Sequence, residues 1–180
     1  MFKRFSSVVG LFVFLCAITQ ADAGFGIYSL SSMAGLDVVQ ANDTRHFFAL
    51  KSDVATVFSK RMLLELLGEM GNGTDLDGTP IQVRGGGAFL RYLWPNDSQT
   101  AFAYMGGGLG LNRLRRTRLI LDTFEYDMQL TLHFILVGME KHLMKGRFKA
   151  LCEVRWVLGD EEDASALRAS VGIGVNFSKH

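Results

Sequence analysis

The chain has 180 residues, 48% of them hydrophobic, and a formal net charge of +1. That is enough for one domain with a core, and it carries no basic footprint for nucleic acid. With 20 glycines against two prolines, the composition suits twisted strands better than linkers, and no stretch after residue 23 has the length and purity of a transmembrane helix.

The first 23 residues stand apart. Lys3 and Arg4 precede an apolar run over residues 8–18, and Ala21-Asp22-Ala23 follows. This is the pattern of a secretory signal peptide with an A-x-A cleavage site. The mature chain is expected to begin at Gly24, with residues 24–180 forming one domain. A lipoprotein anchor at Cys16 is disfavoured, because Leu15 stands where such processing needs a small residue. Cys16 then leaves with the signal, and Cys152 alone cannot form an intramolecular disulfide.

Period-2 alternation marks a strand with two different faces, and it recurs through the mature chain. A first strand is expected within residues 25–40. Residues 46–58 place Phe48, Leu50, Val54 and Phe58 opposite Lys51 and Asp53. Residues 61–70 place Met62, Leu64, Leu66 and Met70 opposite Glu65 and Glu69. Residues 80–94 and 100–112 are glycine-rich, with Gly85-Gly86-Gly87 and Gly106-Gly107-Gly108. In residues 124–140, Phe124, Tyr126, Met128, Leu130, Leu132, Phe134 and Leu136 alternate with Glu125, Asp127, Gln129, Thr131 and His133. Residues 147–158 oppose Phe148, Ala150, Cys152, Val154, Trp156 and Leu158 to Arg147, Lys149, Glu153 and Arg155. The last segment, RASVGIGVNF, puts Val171, Ile173, Val175 and Phe177 on one face and Gly172, Gly174 and Asn176 on the other. Residues 54–70 also contain good helix formers, and a helix there would remove two strands.

The connections at 59–60, 95–98 and 144–145 are short, and those at 71–79, 112–123 and 159–166 are longer. The first, near residues 41–45, is brief but lies on the same side as the long ones; apart from it, long and short connections segregate to opposite ends, as in an up-and-down antiparallel barrel with an even strand number. Strands of roughly 10 to 13 residues exceed the usual length of about 5 to 6 and match the 9 to 11 needed to cross a bilayer at a tilt. Phe124, Tyr126, Trp156 and Phe48 fall near the long-loop end, while Phe58, Phe148 and Phe177 fall near the other, which is the two-girdle distribution of a lipid-facing barrel. The charged face then points inward. Lys51, Asp53, Glu65, Glu69, Arg84, Asp127, Arg147, Lys149, Glu153, Arg155 and Arg168 are expected to meet in a lumen narrow enough to be filled by side chains. Arg91 breaks the pattern: its parity with Ile81, Val83 and Phe89 points it outward, so it either snorkels to headgroups or marks a bulge.

On these residues the chain resembles the small eight-stranded outer-membrane barrels of Gram-negative bacteria, the OmpA/OmpX type, over about residues 24–177. The resemblance implies an all-β, eight-stranded transmembrane barrel in the bacterial outer membrane. Val171, Ile173, Val175 and Phe177 are similar to the final-strand signal that the barrel-assembly machinery reads in this family. The family usually ends on the aromatic residue, whereas here Ser178, Lys179 and His180 follow.

Other motifs carry less. The glycine runs lack the Lys-Ser/Thr and helix start of a phosphate loop and read as strand glycines. Asp75-Leu76-Asp77-Gly78 lacks the remaining ligands of a calcium loop. The sequons at Asn42, Asn72 and Asn96 carry little weight in a bacterial chain. His46 and His142 have no metal spacing, and no cofactor is implied. His133 falls on the lumen face, where hydrogen bonding is the simpler role than catalysis on lipid. Arg113, Arg115, Arg116 and Arg118 form a basic cluster in the outer loop region, suited to anionic lipopolysaccharide or an acidic partner, unless the acidic run Asp160, Glu161, Glu162 and Asp163 neutralises it.

The expected function is structural or surface-interacting, in envelope integrity or adhesion, without catalysis. The alternatives are a narrow solute channel, an outer-membrane lipid hydrolase or acyltransferase, and a soluble lipocalin-like periplasmic barrel.

Overall fold

The computed structural model describes residues 25–40, 43–74, 79–118, 123–159 and 165–177. The signal segment 1–23, the acidic stretches at 75–78 and 160–163 and the tail 178–180 lie outside the described residues. Eight strands follow in chain order: β1 (Phe25–Gln40), β2 (Asp43–Val57), β3 (Ser59–Thr74), β4 (Pro80–Pro95), β5 (Ala101–Arg118), β6 (Thr123–Leu143), β7 (Phe148–Gly159) and β8 (Ala166–Asn176). Each pairs antiparallel with the next, and β8 returns to pair with β1, so the sheet closes into a barrel. Residues 54–70 are extended, divided between β2 and β3 at Phe58. Closure explains why helix propensity loses there: a helix would leave β1 and β4 with bare edges.

The strands run from 11 residues in β8 to 21 in β6. At one end β3 continues to Thr74, β5 continues to Arg118 and β6 begins at Thr123, so much of what reads as long loop is strand. At the other end the hairpins are tight. Phe58 has φ 60°, and Met144, Lys145 and Gly146 have φ 48°, 59° and 85°. Left-handed backbone of this kind lets a short turn follow the twist of its strands.

The two faces differ as the period demands. Outward lie Leu30, Leu36, Phe48, Leu50, Leu109, Leu130, Leu132, Phe134, Trp156, Val171 and Ile173, all substantially exposed. The tyrosine and tryptophan of the girdles, Tyr126 and Trp156, stand among them, while Tyr92 and Trp94 pack edge to face at 4.7 Å near the short-turn end. Inward, Met33, Phe47, Ala49, Leu67, Phe89 and Leu151 form one apolar cluster, and Leu63, Leu93, Tyr104 and Ile135 form another with Phe102.

Two registers depart from simple alternation. In β4 the set Ile81, Phe89, Arg91 and Leu93 faces the lumen, so the parity holds but the face is opposite to the expected one. That strand is apolar on both sides, since Leu90 and Trp94 face outward, and alternation alone could not choose between them. In β6 the pairing shifts between Ile135 and Val137. Leu136 and Val137 are consequently both exposed outside, and Gly138 and Glu140 turn inward.

The glycine runs have a steric reason. A β-carbon on Gly108 would lie 2.6 Å from the Phe89 Cα and 2.7 Å from its ring, and one on Gly138 would lie 2.1 Å from the Tyr104 ring. Bare backbone on the inner wall makes room for large side chains in a narrow lumen. Gly138→Val is therefore expected to cost about 1–3 kcal/mol through overpacking, whereas Gly68→Ala, whose added carbon meets nothing within 4 Å, should be nearly neutral. The urea midpoint for loss of the heat-resistant folded band in lipid vesicles measures both.

Candidate functional site

Among the described residues, six carboxylates are buried: Asp37, Asp53, Glu65, Glu69, Glu140 and Glu153. Six cations are buried with them: Arg45, Lys51, Arg91, Lys149, Arg155 and Arg168. Formal charge cancels, which a low-dielectric interior requires. The inward parity of every strand but β5 contributes at least one of these groups, so the network ties the barrel wall across its diameter.

Eight of the twelve form one connected cluster. Lys51 Nζ lies 2.9 Å from Glu65 Oε2 and 2.7 Å from Glu153 Oε2. Arg155 contacts Glu153 at 2.7 Å and Glu65 at 3.3 Å. Arg91 is the hub: its guanidinium donates to both Asp53 oxygens at 2.9 and 2.8 Å and to Glu140 at 2.9 Å, with Glu65 at 3.5 Å. Lys149 completes the group through Asp53 at 2.8 Å and Ser29 Oγ at 2.9 Å. In the Arg91–Asp53 contact one nitrogen, Nη2, is shared between the two carboxylate oxygens, while Nη1 serves Glu140; the forked geometry in which two guanidinium nitrogens meet two carboxylate oxygens is made by Arg168 and Asp37. Nearer the long-loop end, Arg168 donates to Asp37 at 2.6 and 2.9 Å and also to Glu69.

Aromatic faces close the gaps between charges. Arg155 lies 4.6 Å from the Phe89 ring centre, Arg168 4.0 Å from that of Phe47 and Arg91 4.8 Å from that of Tyr104. These are cation–π distances. The Tyr104 hydroxyl donates to Glu153 at 3.1 Å. His133 is 1% exposed, its Nε2 is 2.9 Å from Thr131 Oγ1, and its ring packs on Phe89. It lies inside the barrel wall, away from the lipid face. His142 lies at the short-turn mouth, 3.1 Å from Glu140.

Of the residues expected in the lumen, Lys51, Asp53, Glu65, Glu69, Lys149, Glu153, Arg155 and Arg168 are buried there. Three lie elsewhere. Arg84 is exposed on the outer face of β4, because that strand presents the opposite parity to the lumen. Arg147 is exposed in the β6–β7 turn, one residue before the strand begins. Asp127 is only partly buried at the long-loop mouth, where it accepts from the Met128 backbone and from Gln129. Four members escaped the pattern: Asp37, Arg45, Arg91 and Glu140. Arg91 does not snorkel; it is 1% exposed at the centre of the network.

The basic cluster is also placed differently. Arg113, Arg115, Arg116 and Arg118 belong to strand β5 rather than to a loop. Arg113 and Arg115 are on outward positions, with the Arg113 guanidinium 4.1 Å from the Tyr126 ring centre. Val171, Ile173, Val175 and Phe177 line the outer face at β8, 65%, 71%, 39% and 62% exposed, and the Phe177 amide donates to the Tyr28 carbonyl at 2.8 Å.

An apolar exterior over a charge-filled interior inverts the order of a soluble barrel and fits a bilayer. Known structures agree. Neisserial surface protein A (NspA) superposes with a TM-score of 0.62 at 16% identity, covering 87% of this chain and 99% of that one. This is the fold of the small eight-stranded barrels of the bacterial outer membrane. Ail, the attachment invasion locus protein of Yersinia pestis, matches with a TM-score of 0.55 at 10% identity over 84% of this chain and 97% of its own; it has also been crystallised with the heparin analogue sucrose octasulfate. The outer membrane enzyme PagL matches with a TM-score of 0.53 at 11% identity over 83% of this chain and 99% of that one. The sequence matches no protein-family model and no curated protein.

Removing the hub cation takes one partner from each of three buried carboxylates, Asp53, Glu65 and Glu140, and leaves the cluster one positive charge short. Arg91→Met is expected to destabilise the barrel by about 3–5 kcal/mol, while Arg147→Gln in the exposed turn should stay within about 0.5 kcal/mol. Urea titration of each variant in vesicles provides the comparison.

Proposed function

We propose that this protein is a non-conducting, non-catalytic outer-membrane anchor that acts through its outer surface, in envelope integrity or adhesion. The observation that carries the reading is the charge-balanced lumen. Twelve buried ionic groups, six of each sign, and two apolar clusters occupy the space a solute would need, and an eight-stranded barrel has no width to spare. Long strands that project at the end opposite the tight turns supply a platform for contact with lipopolysaccharide or an extracellular partner.

The position of His133 argues against lipid hydrolysis. Its ring nitrogen meets Thr131 inside the barrel, whereas acyl chains lie against the outside. The outward row Val171, Ile173, Val175 and Phe177 on β8 supports engagement of the barrel-assembly machinery, since this strand closes against β1 and is the last to be paired in chain order.

The test is electrical. Purified protein in a planar bilayer should give no steady conductance steps in symmetric salt. Reproducible, long-lived steps from protein free of porins would contradict the anchor reading and favour a channel.

A further inference from the structure

The outer face of β3 to β6 carries an arrangement that gives the proposed surface role a specific place. Arg84 of β4 stands directly opposite Arg113 of β5 in the sheet register. Two residue pairs further toward the long-loop end, Arg115 stands opposite Gln82 and beside Tyr126. Arg84 and Arg113 are exposed, and among the described residues neither makes an ion pair. Like charges directly opposed across a strand pair are destabilising, so an empty site works against the fold.

The surroundings show what would relieve the repulsion. The row holding the two arginines is flanked by Met70 and Met128, both about half exposed and apolar. In the next outward row toward the membrane centre, Gly68 faces Gly86, and Leu111 and Leu130 continue the row. A β-carbon on Gly68 would meet nothing within 4 Å, so the surface there is a smooth, shallow track. The Arg113 guanidinium is held against Tyr126 at 4.1 Å, and Arg115 reaches Gln82 at 3.5 Å, which orients the cations on the sheet surface. Cations sit at the polar boundary, and a row of glycine and leucine crosses the sheet beneath them on the membrane side.

We infer that Arg84, Arg113 and Arg115, with the Gly68–Gly86 track, form a binding site for a phosphorylated glycolipid of the outer leaflet, lipopolysaccharide. Its phosphate is shared by Arg84 and Arg113, whose guanidiniums are suited to forked contacts with phosphate oxygens. One acyl chain passes over the bare backbone at Gly68 and Gly86. The inference rests on the reading that the long-strand end faces the cell exterior.

The experiment uses the folded full-length mature barrel in detergent micelles. The readout is the temperature at which half of the folded, heat-modifiable band is lost, with purified lipopolysaccharide, the same material after chemical dephosphorylation, or inorganic phosphate added. Wild type should be stabilised by intact lipopolysaccharide and much less by the other two. The double variant Arg84→Gln/Arg113→Gln should bind roughly tenfold or more weakly, the loss expected when charge-assisted contacts are removed. Without lipopolysaccharide it should be as stable as wild type or more so, because the repulsion is gone. Gly68→Leu keeps every charge but fills the track, and it should also lose affinity. An unchanged response in the double variant, an equal response to dephosphorylated material, or full stabilisation by inorganic phosphate alone would overturn the proposal. Should the double variant fail to fold, an undiminished response in Gly68→Leu would do the same. Antibody access to an epitope inserted between β5 and β6 on intact cells reports the orientation independently, so an error there is distinguishable from an error in the site.

Discussion

Hydrocarbon offers no partner to a peptide N–H or C=O, and the rest of this structure follows from that constraint. A strand in such a medium must have a neighbour on both sides, so a sheet that enters it must close. β8 meets β1 along ten register pairs from Ser29–Asn176 to Val38–Leu167, and the barrel has no bare edge within the membrane. A chain with a single cysteine after its expected signal needs no disulfide when its ladder is continuous.

Closure with eight strands dictates the interior. The wall leaves a lumen of side-chain width, and whatever points inward loses most of its water. Charge can be tolerated there only if it cancels and is hydrogen-bonded. The barrel meets this, among its described residues, with six acids and six bases, a forked Arg168–Asp37 contact and aromatic rings laid against three of the arginines. Space is as limiting as charge. Bare backbone at Gly108 and Gly138 makes room for Phe89 and Tyr104, so the glycine runs and the large lumen residues are two parts of one packing solution.

Where the two faces differ in chemistry, the sequence reveals the fold directly. β6, β7 and β8 alternate greasy and polar residues, and their outward and inward sets in the barrel match that alternation up to the β6 bulge. β4 is apolar on both faces, so its parity was readable and its orientation was not; Arg84 and Arg91 exchanged places for that reason alone. Glu140 was hidden by the shift between Ile135 and Val137, which moves every later residue of β6 to the other face. Nothing short of the pairing partner reveals such a bulge. Asp37 and Arg45 lie in a strand and at a strand start whose patterns are too weak to set a register, although a charged residue in so apolar a first strand was a usable signal. Arg147 missed the lumen by a single residue, because the turn it occupies extends one position beyond the alternating segment.

All of this requires lipid, not water or protein, against the outer wall. The chain has two tryptophans, Trp94 and Trp156, and both stand on that wall, 44% and 48% exposed. Refolding the mature chain into vesicles whose acyl chains carry bromine near the headgroups, and recording tryptophan fluorescence, tests the contact directly. The account predicts strong quenching of both residues, resolved with single Trp→Phe variants. Unquenched emission from a compact protein that stays dissolved without detergent would contradict it.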